Sequence, residues 1–269
     1  MNARSRFVVS SVVSLCVAAL AGCEDPPKKE AEPAASAAAV PAPTPTPTPA
    51  APAEEPKAKK PKKQLSDCPK GNVVTFEQKA IEDEVRRKLP KPTGDITTSD
   101  LKKLRSFNMS QLKDLEELDV CIFTHLTGLK ELFLGPGSFD DLSPIANATN
   151  LESLRASINQ VSDLKPLSKL KKLDRLDLGR TQVSDLAPLA ELTALTELQL
   201  DGTPVEDLTP LAKLTQLETL SIKGTKVKDL SPLNDLKKLK SVDGRDTPAD
   251  EDPMSFAKLR GRGVKIVMQ

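Results

Sequence analysis

The chain has 269 residues, 39 basic side chains against 38 acidic ones, a single histidine, and neither tryptophan nor tyrosine. Charges that nearly cancel give no electrostatic case for nucleic acid, and the missing rings remove the usual platforms on which bases stack. The length would suit two domains, but much of the beginning does not read as globular.

Arg4 and Arg6 precede an apolar run from Phe7 to about Ala21. It is short for a membrane span and right for the hydrophobic core of an export signal. The run ends in Leu20-Ala21-Gly22-Cys23, which resembles the lipobox of bacterial lipoproteins. That resemblance implies that residues 1–22 are a signal peptide and that Cys23 takes a diacylglyceryl group and becomes the new N-terminus. An ordinary cleaved signal and an uncleaved anchor are the other readings. Glu24 stands where an aspartate would resemble the inner-membrane retention signal of enteric bacteria, so the expected place is the cell envelope, lipid-anchored, at the outer membrane. From residue 24 to residue 64 the composition shifts to Pro, Ala, Lys and Glu, with Pro and Thr alternating over residues 43–49. Such a segment builds no core and favours an extended polyproline II spacer, at ~3.1 Å per residue. Residues 23–64 are thus a lipidated cysteine and its tether. Lys57, Lys59, Lys60, Lys62 and Lys63 cluster near its end; a solvated linker is one reading, contact with anionic lipid or cell-wall polymer the other.

Phe76, Ile81, Val85 and Leu89 recur at near-helical spacing before Pro90, which predicts a helix over residues 75–89. Ile96-Thr97-Thr98-Ser99-Asp100-Leu101 supplies the cap of a second, short helix running to Arg105. Residues 65–106 therefore read as a helical N-terminal cap. Leu104-x-x-Phe107-x-Met109 opens an irregular first repeat, and the spacing then slips through Leu112, Leu115 and Leu118.

Residues 107–250 are organised by a period of 22. Asp163-Leu164-Lys165-Pro166-Leu167 shifted forward lands on Asp185 to Leu189, then on Asp207 to Leu211 and Asp229 to Leu233; one period back lies Asp141 to Ile145. Behind each comes a second phrase, Leu173-x-x-Leu176-x-Leu178-x-x-Thr181-x-Val183, repeated at Leu195 to Val205 and Leu217 to Val227. This phrase resembles the leucine-rich repeat family in its short bacterial, internalin-like form. The fold implied is an α/β repeat solenoid: a right-handed superhelix with a parallel, concave β-sheet, short 3₁₀ turns on the convex side and a helical N-terminal cap. The residues themselves give a strand, a tight return and a stack of repeats with parallel strands. In Leu176-x-Leu178 both leucines point one way while Arg175 and Asp177 point the other, as in a strand. Leu164, Leu167, Leu170 and Leu173 step by three, which suits a 3₁₀ turn, and a proline starts each turn at 144, 166, 188, 210 and 232. One repeat offers about 14 kcal/mol of burial against roughly 30 kcal/mol of backbone ordering, so repeats must stack to fold.

The pattern decays after that. Val242 and Gly244 replace strand leucines and Ala249 replaces the valine. Residues 251–269 then read as a C-terminal cap: a helix carrying Phe256 and Leu259, ended by Gly261 and Gly263, and a last strand over residues 264–267.

The columns of the repeat carry the candidate chemistry. Asp119, Asp141, Asp163, Asp185, Asp207 and Asp229 form a ladder whose functional reading is Ca²⁺ binding and whose structural reading is capping of the turn that follows. The Asp-Leu-x-Pro-Leu context favours caps, and no second carboxylate recurs at each level. Thr181, Thr203, Thr225 and Thr247 stand where the family often has Asn, as Asn159 does here. Cys68 and Cys121 remain once the signal and lipid cysteines are set aside; in an exported protein they read as a disulfide, with two separate buried thiols as the alternative. His125 falls on a solvated column shared with Lys169 and Lys213. No catalytic triad, phosphate loop or paired-histidine motif accompanies it, so neither an enzyme, a metal site nor a cofactor is expected.

What remains is the concave face. Asn108, Phe133, Arg155, Asp177, Gln199, Ser221 and Asp243 flank the inward leucines in one column. Glu131, Ser153, Arg175, Glu197 and Thr219 form the next, and Ile158 and Arg180 come just past the strands. The expected function is a membrane-anchored, noncatalytic module that docks an unidentified protein or peptide there, with Phe133, Arg155, Ile158, Arg175, Asp177, Arg180 and Gln199 as the contact set. Coverage of Phe133 by the cap or by the Gly135-Pro136-Gly137 bulge is the competing reading. The alternative function is a structural scaffold lipoprotein that holds cell wall through its basic tether.

Overall fold

Wherever Leu-x-Leu falls, the chain makes a three-residue strand, and each strand lies beside its copy one repeat away. The computed structural model describes residues 62–268, apart from 113, 114, 116 and 252. The expected lipid site at Cys23 and most of the tether lie outside the described residues.

In chain order the elements are α1 (Lys79–Lys88), α2 (Thr98–Leu101), β1 (Ser106–Asn108), α3 (Val120–Phe123), β2 (Glu131–Phe133) and β3 (Ser153–Arg155). Then come β4 (Arg175–Asp177), β5 (Glu197–Gln199), β6 (Thr219–Ser221), β7 (Ser241–Asp243), α4 (Ala257–Gly261) and β8 (Lys265–Val267). The eight strands form one open sheet in sequence order, every neighbouring pair parallel. Phe107, Leu132, Leu154, Leu176, Leu198, Leu220 and Val242 stand opposite one another along it and are buried. The seven leucine and valine columns of the repeat all point into this core; Leu164, Leu167, Leu170, Leu173, Leu176, Leu178 and Val183 are each at most 1% exposed.

The return path is short because proline starts it. Ser143–Ile145, Lys165–Lys169, Ala187–Leu189, Thr209–Lys213 and Ser231–Leu233 are 3₁₀ turns with proline in the first two positions. Each of these turns, and α3 before them, is preceded by an aspartate whose Oδ1 accepts the backbone N–H two residues on, over 2.7–2.9 Å, from the Asp119–Cys121 pair to the Asp229–Ser231 pair. The ladder of carboxylates is therefore a ladder of caps. Asn159 bridges layers, donating to the Gly135 carbonyl at 3.1 Å and accepting from the Phe139 N–H at 3.2 Å. Thr181, Thr203, Thr225 and Thr247 instead donate to the carbonyl three residues back, inside their own layer.

Both ends are covered. Ile81 and Val85 of α1 join the core beside β1, and Phe107 meets Phe123 edge-on at 5.8 Å. α1 starts at Lys79 rather than residue 75 because Val74 and Thr98 donate across to Ile96 and Asn72, holding the preceding segment extended. α2 stops at Leu101 rather than running to Arg105, whose carbonyl is taken by the N–H groups of Lys130 and Glu131 as the sheet begins. β1 and β2 are 25 residues apart, against 22 for each pair from β2–β3 to β6–β7, which is where the slip before Asp119 is absorbed. At the far end Met268 replaces the leucine missing at Gly244: its Sδ lies 2.9 Å from where a Cβ there would stand. Arg262 locks the cap, donating at 2.6 Å to the carbonyls of Asn234 and of Leu236.

Cys68 and Cys121 are joined, S–S 2.03 Å, tying the segment before α1 to α3. Lys63 reinforces the junction, 2.6 Å from Glu77 and 3.5 Å from Asp119, while Lys62 reaches Asp140 at 2.8 Å. Burial works against the Lys63 ammonium, but its pairs with Glu77 and Asp119 outweigh that and raise its pKa. These two lysines of the basic cluster are engaged by the domain itself.

Candidate partner-binding face

Alternation places every second strand side chain on the open side of the sheet, and parallel register stacks them at the layer spacing. Phe133 thus stands between Asn108 and Arg155, and Arg155 between Phe133 and Asp177. The Arg155 guanidinium carbon sits 5.5 Å from the centre of the Phe133 ring, and its Nε is 3.2 Å from an Asp177 carboxylate oxygen. Phe133 is half-buried, partly covered by that arginine.

Two shallow hollows lie on this face. One, of about 250 Å³, is lined by Phe133, Arg155, Arg175, Asp177, Glu197 and Gln199 among others. The second, of about 500 Å³, lies past the strand ends between Ile158, Arg180, Gly202, Lys223 and Gly224. They share Asp177 and Gln199, so they form one continuous depression. All seven residues named from the sequence line it. Ser157, Asp201, Gly202, Lys223 and Gly224 were missed from the sequence; shifting Arg180 by one and two periods lands on the two glycines, a signal that was available.

Asp177 accepts from the Gly179 N–H at 3.0 Å and the Ser157 hydroxyl at 3.1 Å. Further along, Asp243 holds Arg245 in a two-point pair at 2.9 and 2.6 Å, which lowers the carboxyl and raises the guanidinium pKa. His125 is half-buried, away from the depression. Among the described residues no three His, Cys, Asp or Glu side chains converge as metal ligands.

A family model described as leucine-rich repeats in two copies matches residues 149–191. No match was found among curated proteins. Among solved structures, the chain is similar to internalin C2 of Listeria monocytogenes at 25% identity, over 72% of this chain and 94% of that one, with a TM-score of 0.58. A leucine-rich-repeat protein of Leptospira interrogans shares the fold at 21% identity, over 62% of this chain and 49% of that one, with a TM-score of 0.50. The repeat phrase, the open parallel sheet and these likenesses agree: this is a leucine-rich-repeat solenoid, internalin-like in its structural neighbours.

Proposed function

We propose that the protein is a lipid-anchored, noncatalytic recognition module of the bacterial envelope that docks a protein or peptide on the open face of its sheet, around β2 to β5. The observation that carries the reading is the Phe133–Arg155 stack at the edge of a continuous depression. An aromatic ring and an arginine on a solvent-facing surface are the usual composition of an interface hot spot. The pair does nothing for the buried core, which lies on the other side of the sheet. Anchoring rests on the lipobox-like residues ending at Cys23; among the described residues no helix is long and apolar enough to cross a membrane.

With a partner in hand, Phe133→Ala combined with Arg155→Ala weakens binding by about 2 kcal/mol or more, roughly thirtyfold, and leaves the melting temperature nearly unchanged. Calorimetric titration showing unaltered affinity moves the site off this face. The anchor is tested separately: Cys23→Ser abolishes acylation, and mass spectrometry finding acyl chains on that variant refutes the lipid assignment. Recovery of the protein with the inner membrane on a density gradient refutes outer-membrane placement.

A further inference from the structure

Past each strand from β3 to β7 the backbone makes the same left-handed step. Ile158, Arg180, Gly202, Gly224 and Asp246 occupy it at φ 60°, 56°, 66°, 65° and 58°. Glycine takes this conformation without strain, whereas a β-branched residue there is a steric outlier at a cost of about 1–3 kcal/mol. Ile158 bears that cost and is 45% exposed, so its side chain neither relaxes the turn nor fills the core. Gly202 and Gly224 show that the chain has the strain-free solution at hand. An aliphatic side chain kept at such a position, at the edge of the depression, serves something outside the fold.

The charged groups around Ile158 are unequally engaged. Every carboxylate of the depression already holds a donor of this chain: Asp177 accepts from Gly179, Ser157 and Arg155; Asp201 from the Lys223 N–H at 3.0 Å and the Ser221 hydroxyl; Glu197 from the Gln199 amide at 2.6 Å. Lys223 lies 3.8 Å from Asp246. The guanidiniums of Arg175 and Arg180 are exposed and make no hydrogen bond or ion pair among the described residues; Arg175 acts on Glu152 only through space. The stem of Arg180 packs along Gly202, its Cγ 3.4 Å from where a Cβ would stand, and a Cβ on Gly224 would meet only the Gly202 backbone. The surface therefore offers two unfilled arginine forks, a glycine floor and one aliphatic knob.

We infer that the occupant is an extended segment of a partner protein carrying carboxylates beside an aliphatic side chain: the carboxylates pair with Arg175 and Arg180, and the aliphatic group rests on Ile158. Forked arginine–carboxylate pairs fit because nothing else on this face supplies donors of that geometry without a partner already. The inference rests on the open face being the docking surface.

A random twelve-residue peptide display library selected on the full chain tests it. Selected peptides are enriched about twofold or more in Asp and Glu, with an aliphatic neighbour, and Arg175→Gln with Arg180→Gln weakens them about tenfold or more. Ile158→Gly weakens them about fivefold while the variant melts no lower than the parent, because the substitution removes strain. No acidic enrichment, affinity indifferent to these three positions, or no binder at all overturns the inference. Peptides that ignore these positions but are lost on Phe133→Ala with Arg155→Ala overturn it while supporting the open face; peptides indifferent to all five positions overturn both.

Discussion

Asp100 shows how much of this protein is decided one side chain at a time. Its carboxylate accepts from the Thr97 N–H at 3.1 Å, while the Thr97 hydroxyl accepts from the Asp100 N–H at 3.2 Å, a closed capping box at the start of α2. Lys91 foremost, then Lys103 and Thr97, hold the Asp100 carboxyl well below the usual carboxylate range. A folded pKa below the unfolded one means that the stabilisation is complete above the unfolded value of about 4 and is lost as pH falls towards the folded one. Asp100→Asn therefore melts below the parent at neutral pH, and the difference shrinks as pH drops below about 4. Thermal melts whose gap stays constant down to about pH 2 would exclude the ionised cap as its source. The capping aspartates of the repeats were legible because Asp-Leu-x-Pro-Leu announces a turn to be capped. The left-handed column was not read, because its glycines appear only at 202 and 224 while isoleucine, arginine and aspartate hide the demand elsewhere.

Elements were legible where period and burial coincide. Every strand from β2 to β7 falls on the alternating phrase, and every return turn on its proline, since a buried stack of leucines leaves one register that keeps them all inside. Helix ends were less legible: the bridge of Val73 to Thr97 that shortens α1 is a long-range pairing with no local trace in the sequence. The flank of the stack carries ion pairs and hydrogen bonds one layer apart, such as Lys130 to Glu152 and Lys172 to Asn150, both at 2.7 Å. Being exposed, each contributes little. The N-terminal cap depends on stronger ties. Its disulfide spans 53 residues, and joining Cys68 to Cys121 restricts the unfolded chain by about 2–4 kcal/mol. Thiol labelling of the unfolded, unreduced chain finds neither of these two cysteines free, and Cys68→Ser with Cys121→Ser lowers stability by about that amount. Labelling of both at full yield would leave the cap held by packing and by the Lys63 pairs alone.

At the scale of the whole solenoid, stability is a chain of nearest-neighbour contacts. Each layer buries its leucines against the layer before and the layer after, and the end layers are closed by α1 and by α4 with β8. Nothing in such a stack fixes the number of repeats, only the phase at which one repeat follows another. Deleting residues 186–207 joins Asp185 to Leu208 and restores Asp-Leu-Thr-Pro-Leu across the junction, so every remaining strand keeps its partner and every turn its cap. That variant folds cooperatively with one strand fewer, at lower stability by one interface. Deleting residues 186–196 removes half as much chain but joins Asp185 to Glu197, placing a strand where a capped turn belongs and turning buried leucines out of phase with the layer beneath. Far-UV circular dichroism and thermal melts compare the two: the longer deletion retains a sharp transition and the shorter one loses it. If the 22-residue deletion unfolds as fully as the 11-residue one, the caps and the sheet are coupled across the whole stack rather than layer by layer.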